Sequence, residues 1–160
     1  MKRFSLVAAA GAVALLAPLG AATSAQAART VPFTLTVLVP LGPDGLPSGG
    51  ETFTATGALC PSGTLVGISG KTPSPDQARR FIIQAQNIFT CDDGSGTFNE
   101  KEQNVGTVVT DDLFTTTGTV QLLGGTGAYT NLTGHGSSTG TIKQAAGIAT
   151  FTTVGVVVRS

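Results

Sequence analysis

The chain has no Trp, one Tyr, one Met and one His among 160 residues, and only 11% of it is charged. Without Trp and with a single Tyr, Tyr129, it cannot supply the aromatic girdles that flank the apolar band of a membrane-spanning barrel. A lone His135 means that any Ser-His-Asp or Cys-His mechanism has one residue to use. Two Cys and that His, more than seventy positions past Cys60, form no recognised zinc spacing, so no metal site is expected. Sustained helical periodicity is also missing, as is any basic cluster beyond Arg79-Arg80. Nucleic acid is therefore excluded as an expected partner.

The one long apolar run stands at the start. Lys2 and Arg3 form a positive n-region, Phe4 to Leu19 an apolar h-region, and Ala25-Gln26-Ala27 the small-x-small pattern of signal peptidase. The run is shorter than the roughly 20 residues a spanning helix needs. It reads as a cleavable export signal over 1–27, cut between Ala27 and Ala28, with one domain over 28–160. Lys2 and Arg3 leave with the signal, so nine Lys or Arg become seven against nine Asp or Glu. No second long apolar run follows, and the exported chain is expected to be secreted and free of the membrane. In an oxidising compartment the two remaining Cys read as one bridge, Cys60 to Cys91.

What the domain has in abundance is Gly, Thr and Val, arranged with a period of two. Val31, Phe33, Leu35, Val37 and Val39 share one face of a first strand. Leu41 to Gly50, with Pro-Asp-Gly inside it, is a loop. Phe53 to Leu59 and Leu65 to Ile68 are short apolar alternations, and Lys71 to Arg79 reads as a second long loop, with a helical turn from Ser74-Pro75-Asp76. Phe81 to Gln103 has the pattern of a hairpin reversing at Asp92-Asp93-Gly94-Ser95-Gly96, and Asn87 falls on its apolar face. Val105 to Thr110, Leu113 to Leu123, the stretch from Gly134 to Ile142, and Ile148 to Val158 complete about eight strands. This is an all-β fold, an antiparallel barrel of eight strands or, with the same alternation, a β-sandwich.

Two stretches carry a resemblance. Ala58-Leu59-Cys60-Pro61-Ser62-Gly63-Thr64 together with Phe89-Thr90-Cys91-Asp92-Asp93-Gly94-Ser95-Gly96-Thr97-Phe98 resembles a group of small exported bacterial proteins of uncharacterised function. Leu123-Gly124-Gly125-Thr126-Gly127-Ala128-Tyr129 is similar to the Gly-Gly-Thr-Gly-aromatic segment of the allene oxide cyclase and dirigent barrels. That resemblance implies a calycin-type, eight-stranded antiparallel barrel with a central cavity. Independently of it, the glycines permit positive φ and close backbone approach where a strand ends and Tyr129 folds back over the barrel end. The catalytic residues of those families find no residue-by-residue match here, so their activities do not travel with the fold.

Among candidate chemistry, Glu100 and Glu102 would share the face of Phe98 and point into a cavity if their strand runs on. The blander expectation is a strand that ends, or becomes a solvated edge, near Asn99. His135 reads as an ordinary exposed residue. Asp92 to Gly96 reads as a hairpin turn and not a calcium loop, and Asn131-Leu132-Thr133 fits the glycosylation acceptor pattern, which carries little meaning if the exporter is bacterial. The Gly124 to Gly127 run lacks the Lys and the helix of a phosphate loop. No cofactor is expected. Asn87, Glu100, Glu102 and Tyr129 are the polar groups expected to line a lumen. Two readings follow: a non-catalytic barrel that holds a small apolar molecule or contacts a surface, which the sequence favours, and a cofactor-independent isomerase or cyclase. A polar-tipped cavity holding two of Asn87, Glu100 and Glu102 would favour the second, and a lumen packed solid would end both.

Overall fold

The computed structural model describes residues 29–73 and 79–159. The expected signal segment with its cleavage site at Ala27 and Ala28, and the expected helical turn from Ser74, lie outside the described residues. The elements are β1 (Arg29–Pro40), β2 (Thr52–Gly57), β3 (Ser62–Pro73), β4 (Arg80–Cys91), β5 (Thr97–Val108), β6 (Leu113–Leu123), a 3-10 turn (Gly127–Tyr129), β7 (Thr133–Lys143) and β8 (Ile148–Arg159). Each strand pairs antiparallel with its neighbours in chain order, and β1 pairs with β8 from Arg29↔Arg159 to Pro40↔Ile148, closing an eight-stranded up-and-down barrel. Closure resolves the choice between barrel and sandwich in favour of the barrel.

The period of two explains the wall. Along β1 the inward residues Phe33, Leu35 and Val37 are buried while Thr34 and Thr36 alternate with them. At one end the lumen is filled: Phe89 and Phe98 stack with centroids 4.6 Å apart, Phe53 meets both edge-on, and Tyr129 leans on Phe98 at 5.4 Å. Aromatic pairs of this geometry add about 0.5–1.5 kcal/mol each beyond their area burial. The Gly-Gly-Thr-Gly segment makes that end possible. Gly127 takes φ +59, and a Cβ on Gly125 would stand 2.0 Å from the Thr97 carbonyl oxygen. The segment therefore presses onto the start of β5 and folds Tyr129 into the core, as its glycines led us to expect.

Cys60 and Cys91 are joined, with Cα atoms 6.0 Å apart and a sequence separation of 31. The bridge ties the β2–β3 turn to the end of β4, beside the aromatic cluster. A loop of that length restricts the unfolded chain by about 3 kcal/mol.

Two sequence boundaries move. The expected loop from Lys71 begins later, because Lys71, Thr72 and Pro73 continue β3 opposite Ile83, Ile82 and Phe81. Polar residues at a strand's end lose little by pairing when they remain at a solvent-facing rim, so their polarity does not stop the ladder. Likewise Val105 belongs to β5, which continues past Gln103 to Val108 and pairs with β6 from Asn99↔Leu123 to Val108↔Phe114.

Candidate functional site

β5 sends Phe98, Glu100, Glu102, Asn104 and Gly106 inward in succession, so one strand carries both the floor of the packed end and the polar wall above it. The expectation that the strand would end or become a solvated edge near Asn99 is overturned. Glu100 is only 4% exposed and Asn104 is fully buried, in the middle of a strand paired on both sides. The charge of the Glu-Lys-Glu run suggested solvent, but alternate positions send Glu100 and Glu102 to the lumen and the exposed Lys101 to water.

Above the aromatic floor lies a cavity of about 170 Å³, lined by Asn87, Glu100, Glu102, Thr153, the apolar Leu65, Ala85, Val37 and Phe151, and a rim of Phe81, Phe114 and Lys71. The loop containing Gly45, Leu46 and Pro47 forms part of its side. An apolar cavity of about 150 Å³ accommodates benzene, so this space suits a ring-sized group.

The two carboxyls occupy different environments. Glu102 is held: its Oε1 accepts 2.7 Å from the Ser138 hydroxyl and also accepts from the Asn104 side-chain amide. Ser138 stands on β7, two strands away, and the contact spans Gly118 on β6, where a Cβ would fall 2.0 Å from Asn104 Oδ1. Glu100 lies opposite Asn87 across the β4–β5 ladder, yet its Oε2 has no hydrogen-bond partner. Burial, and secondarily the charge of Glu102, push the Glu100 carboxyl up to about 8 against the opposing effect of an Asn87 hydrogen bond. Burial raises Glu102 as well, and the Ser138 and Asn104 hydrogen bonds hold that rise back. At neutral pH Glu100 is therefore mainly the acid form, and Glu102 is the better-solvated partner.

At the rim the Lys71 ammonium sits 4.3 Å from the Phe81 ring centre and 5.3 Å from that of Phe114, whose rings are 5.8 Å apart edge-on. Cation–π contact holds the charge at the cavity entrance.

Of the four polar groups expected in the lumen, the structure brings Asn87, Glu100 and Glu102 together. Tyr129 is separate: it is buried in the core cluster at the packed end, against Phe98. His135 is exposed on β7, paired opposite Gln121 and Val156. The Asp92–Gly96 segment is a hairpin turn in which the Ser95 amide donates to Asp93 Oδ1 at 2.9 Å. No cluster of three metal-ligating His, Cys, Asp or Glu occurs among the described residues. Asn104, Ser138 and Lys71 were not singled out from sequence. Continuing the alternation Phe98, Glu100, Glu102 by one step reaches Asn104, whereas Ser138 requires the register of β6 and β7.

The sequence matches no family model, no curated protein and no solved structure. Among the described residues no helix is long and apolar enough to cross a membrane.

Proposed function

We propose that this is a secreted barrel whose lumen binds a small, largely apolar molecule and moves a proton on it without a cofactor, as an isomerase or cyclase does. The observation that carries this reading is the pair Glu100 and Glu102 in one cavity, one carboxyl unpartnered at Oε2 and the other fixed by two donors. Acid–base chemistry near pH 7 needs one group protonated and one ionised, and dissimilar environments for neighbouring carboxyls provide that division. Glu100 is the general acid, with its proton directed at an oxygen or unsaturated carbon of the substrate. Glu102 is the base, with Ser138 and Asn104 positioning its carboxylate. The apolar walls supply binding, exclude water and strengthen the electrostatics. The Cys60–Cys91 bridge fits an oxidising compartment, in keeping with the export signal at 1–27. The closed eight-stranded shape is compatible with an allene oxide cyclase or dirigent-like ancestry and is shared by other barrels.

The test begins with native mass spectrometry of protein isolated from its host, which identifies any retained molecule. That molecule is then incubated in D₂O with the wild type, Glu100→Gln and Glu102→Gln. Deuterium entering a carbon position with the wild type, and slowed by about 10²-fold or more in either variant, supports proton transfer. Retention without exchange reduces the reading to the non-catalytic binding barrel. A protein that retains nothing and takes up no small apolar probe removes both.

A further inference from the structure

The charges that line the cavity are arranged asymmetrically along the barrel axis, in a way that proton transfer by itself does not use. Three carboxyls line it, those of Glu51, Glu100 and Glu102, and a single cation, Lys71. Register sets them at different heights. On β3 the inward positions run Leu65, Gly67, Ser69 and Lys71; Gly67 pairs with Asn87, which pairs with Glu100, and Ser69 pairs with Ala85, which pairs with Glu102. Lys71 is therefore one inward step beyond Glu102 and two beyond Glu100. At about 3.3 Å per residue the strand rises about 13 Å from the level of Glu100 to that of Lys71. Glu51 stands at the far end of the same series, where its carbonyl accepts from the Leu65 amide at 3.2 Å.

A lysine near a strand end ordinarily carries its charge out into bulk water. Here two buried rings, Phe81 and Phe114, hold the ammonium over the cavity mouth, and among the described residues no carboxylate pairs with it. A ring face attracts a cation without using up its N–H groups. The ammonium is thus fixed in place with its donors left for water or for a ligand.

We propose, resting on the reading that the chamber takes a small apolar molecule, that this molecule is an arylalkanoic acid whose ring sits in the chamber and whose carboxylate lies on Lys71 at the mouth. An anionic group placed deep would meet Glu102 and no cation, between apolar walls that cannot solvate it. At the mouth the same group meets an ammonium and keeps its other lone pairs in water. With no second basic side chain in the lining, one lysine matches one negative charge, whereas a phosphate dianion calls for more cations than the mouth has. Height also selects length. A bare ring at the level of Glu100 ends short of Lys71, so a short chain separates ring from carboxylate. Anchoring the anion at the mouth delivers the opposite end of the molecule to Glu100 and Glu102 in a single orientation. Lys71 is then a positioning and specificity residue, with no part in the proton transfer itself.

The experiment is titration calorimetry of the host-processed protein with two probes of one shape, 3-phenylpropionate and the neutral 3-phenylpropionamide, at low and high salt. Wild type, Lys71→Met and Lys71→Arg are compared; Lys71 is exposed, so neither change disturbs the core. The wild type should bind the acid at least about tenfold more tightly than the amide, a preference that shrinks as salt rises. Lys71→Met should abolish the preference by weakening the acid and leaving the amide unchanged, and Lys71→Arg should restore most of it. Equal binding of acid and amide by the wild type overturns the proposal and leaves the apolar chamber standing, as does a preference that Lys71→Met retains. Uptake of neither probe also overturns it. Benzene then separates the two ideas, because its uptake keeps the chamber as a binding site and its exclusion removes that reading as well.

Discussion

The two halves of the lumen are built by the same strands under the same alternation, yet they have opposite characters. In the closed half, Phe53, Phe89 and Phe98 interlock and Tyr129 plugs the end. In the open half, the next inward residues on the same β5 are Glu100 and Glu102, which line the cavity, and Asn104, which is buried behind them and donates to Glu102. The division falls between Phe98 and Glu100, two positions apart. The closed half supplies stability that the open half spends on buried carboxyls, and the disulfide stands at the closed half. A small barrel can thus hold a costly polar chamber because the cost is confined to one end.

Emptying the closed half should have the largest effect. Phe98→Ala removes a ring that three other aromatics touch and should cost about 3–5 kcal/mol in denaturant unfolding, because the rigid wall cannot collapse on the void. A loss below about 1 kcal/mol would mean that the two halves do not differ as described.

Titrating the open half comes next. Glu100 has its folded value raised to about 8 from 4.5, so the folded state binds the proton more tightly. Its contribution is fully present below pH 4.5 and is lost as pH rises through 8, a fall of order 3–5 kcal/mol for a group this buried. Stability measured from pH 4.5 to 9 should decline, and Glu100→Gln should flatten most of that decline. A wild-type curve already flat over this range would show Glu100 to be better solvated than its burial indicates.

Opening the bridge with Cys60→Ser and Cys91→Ser together should cost about 2–4 kcal/mol and leave the Glu100 titration in place, since the staple and the chamber lie at different ends. The smallest effect should come from Ser138→Ala. It removes one donor from Glu102, costs about 1 kcal/mol, and raises the Glu102 carboxyl further, readable by carboxyl-carbon NMR as a higher midpoint than in the wild type.

This contrast explains what the sequence could and could not disclose. The eight strands were legible because Thr alternates with Val, Leu and Phe in a rhythm that only a half-buried strand needs, and the hairpin at Asp92–Gly96 was legible from its turn residues. The Cys pairing followed from there being only two. Glu100 and Glu102 were harder, because a local window assigns charge to solvent. Only the closed register, with β4 and β6 on either side of β5, obliges them to face inward. Tyr129 was expected near the polar lumen because its motif sits at a barrel end, and nothing local states which end. Ser138 reaches Glu102 across 36 residues of chain, so no window of sequence contains both partners.

The seam between β1 and β8 runs through twelve residue pairs and joins the first described strand to the last. A nascent chain therefore cannot close its barrel until β8 has been made, and until then it exposes two unfinished edges. Such non-local topology makes folding slow, and the open chain keeps those edges unpaired until the seam closes. The same seam places Arg29 beside Arg159, so a short linker could join β8 to β1 and the barrel could be opened instead at the exposed Gly94 turn, reversing which seam is sewn last without altering a residue of the chamber.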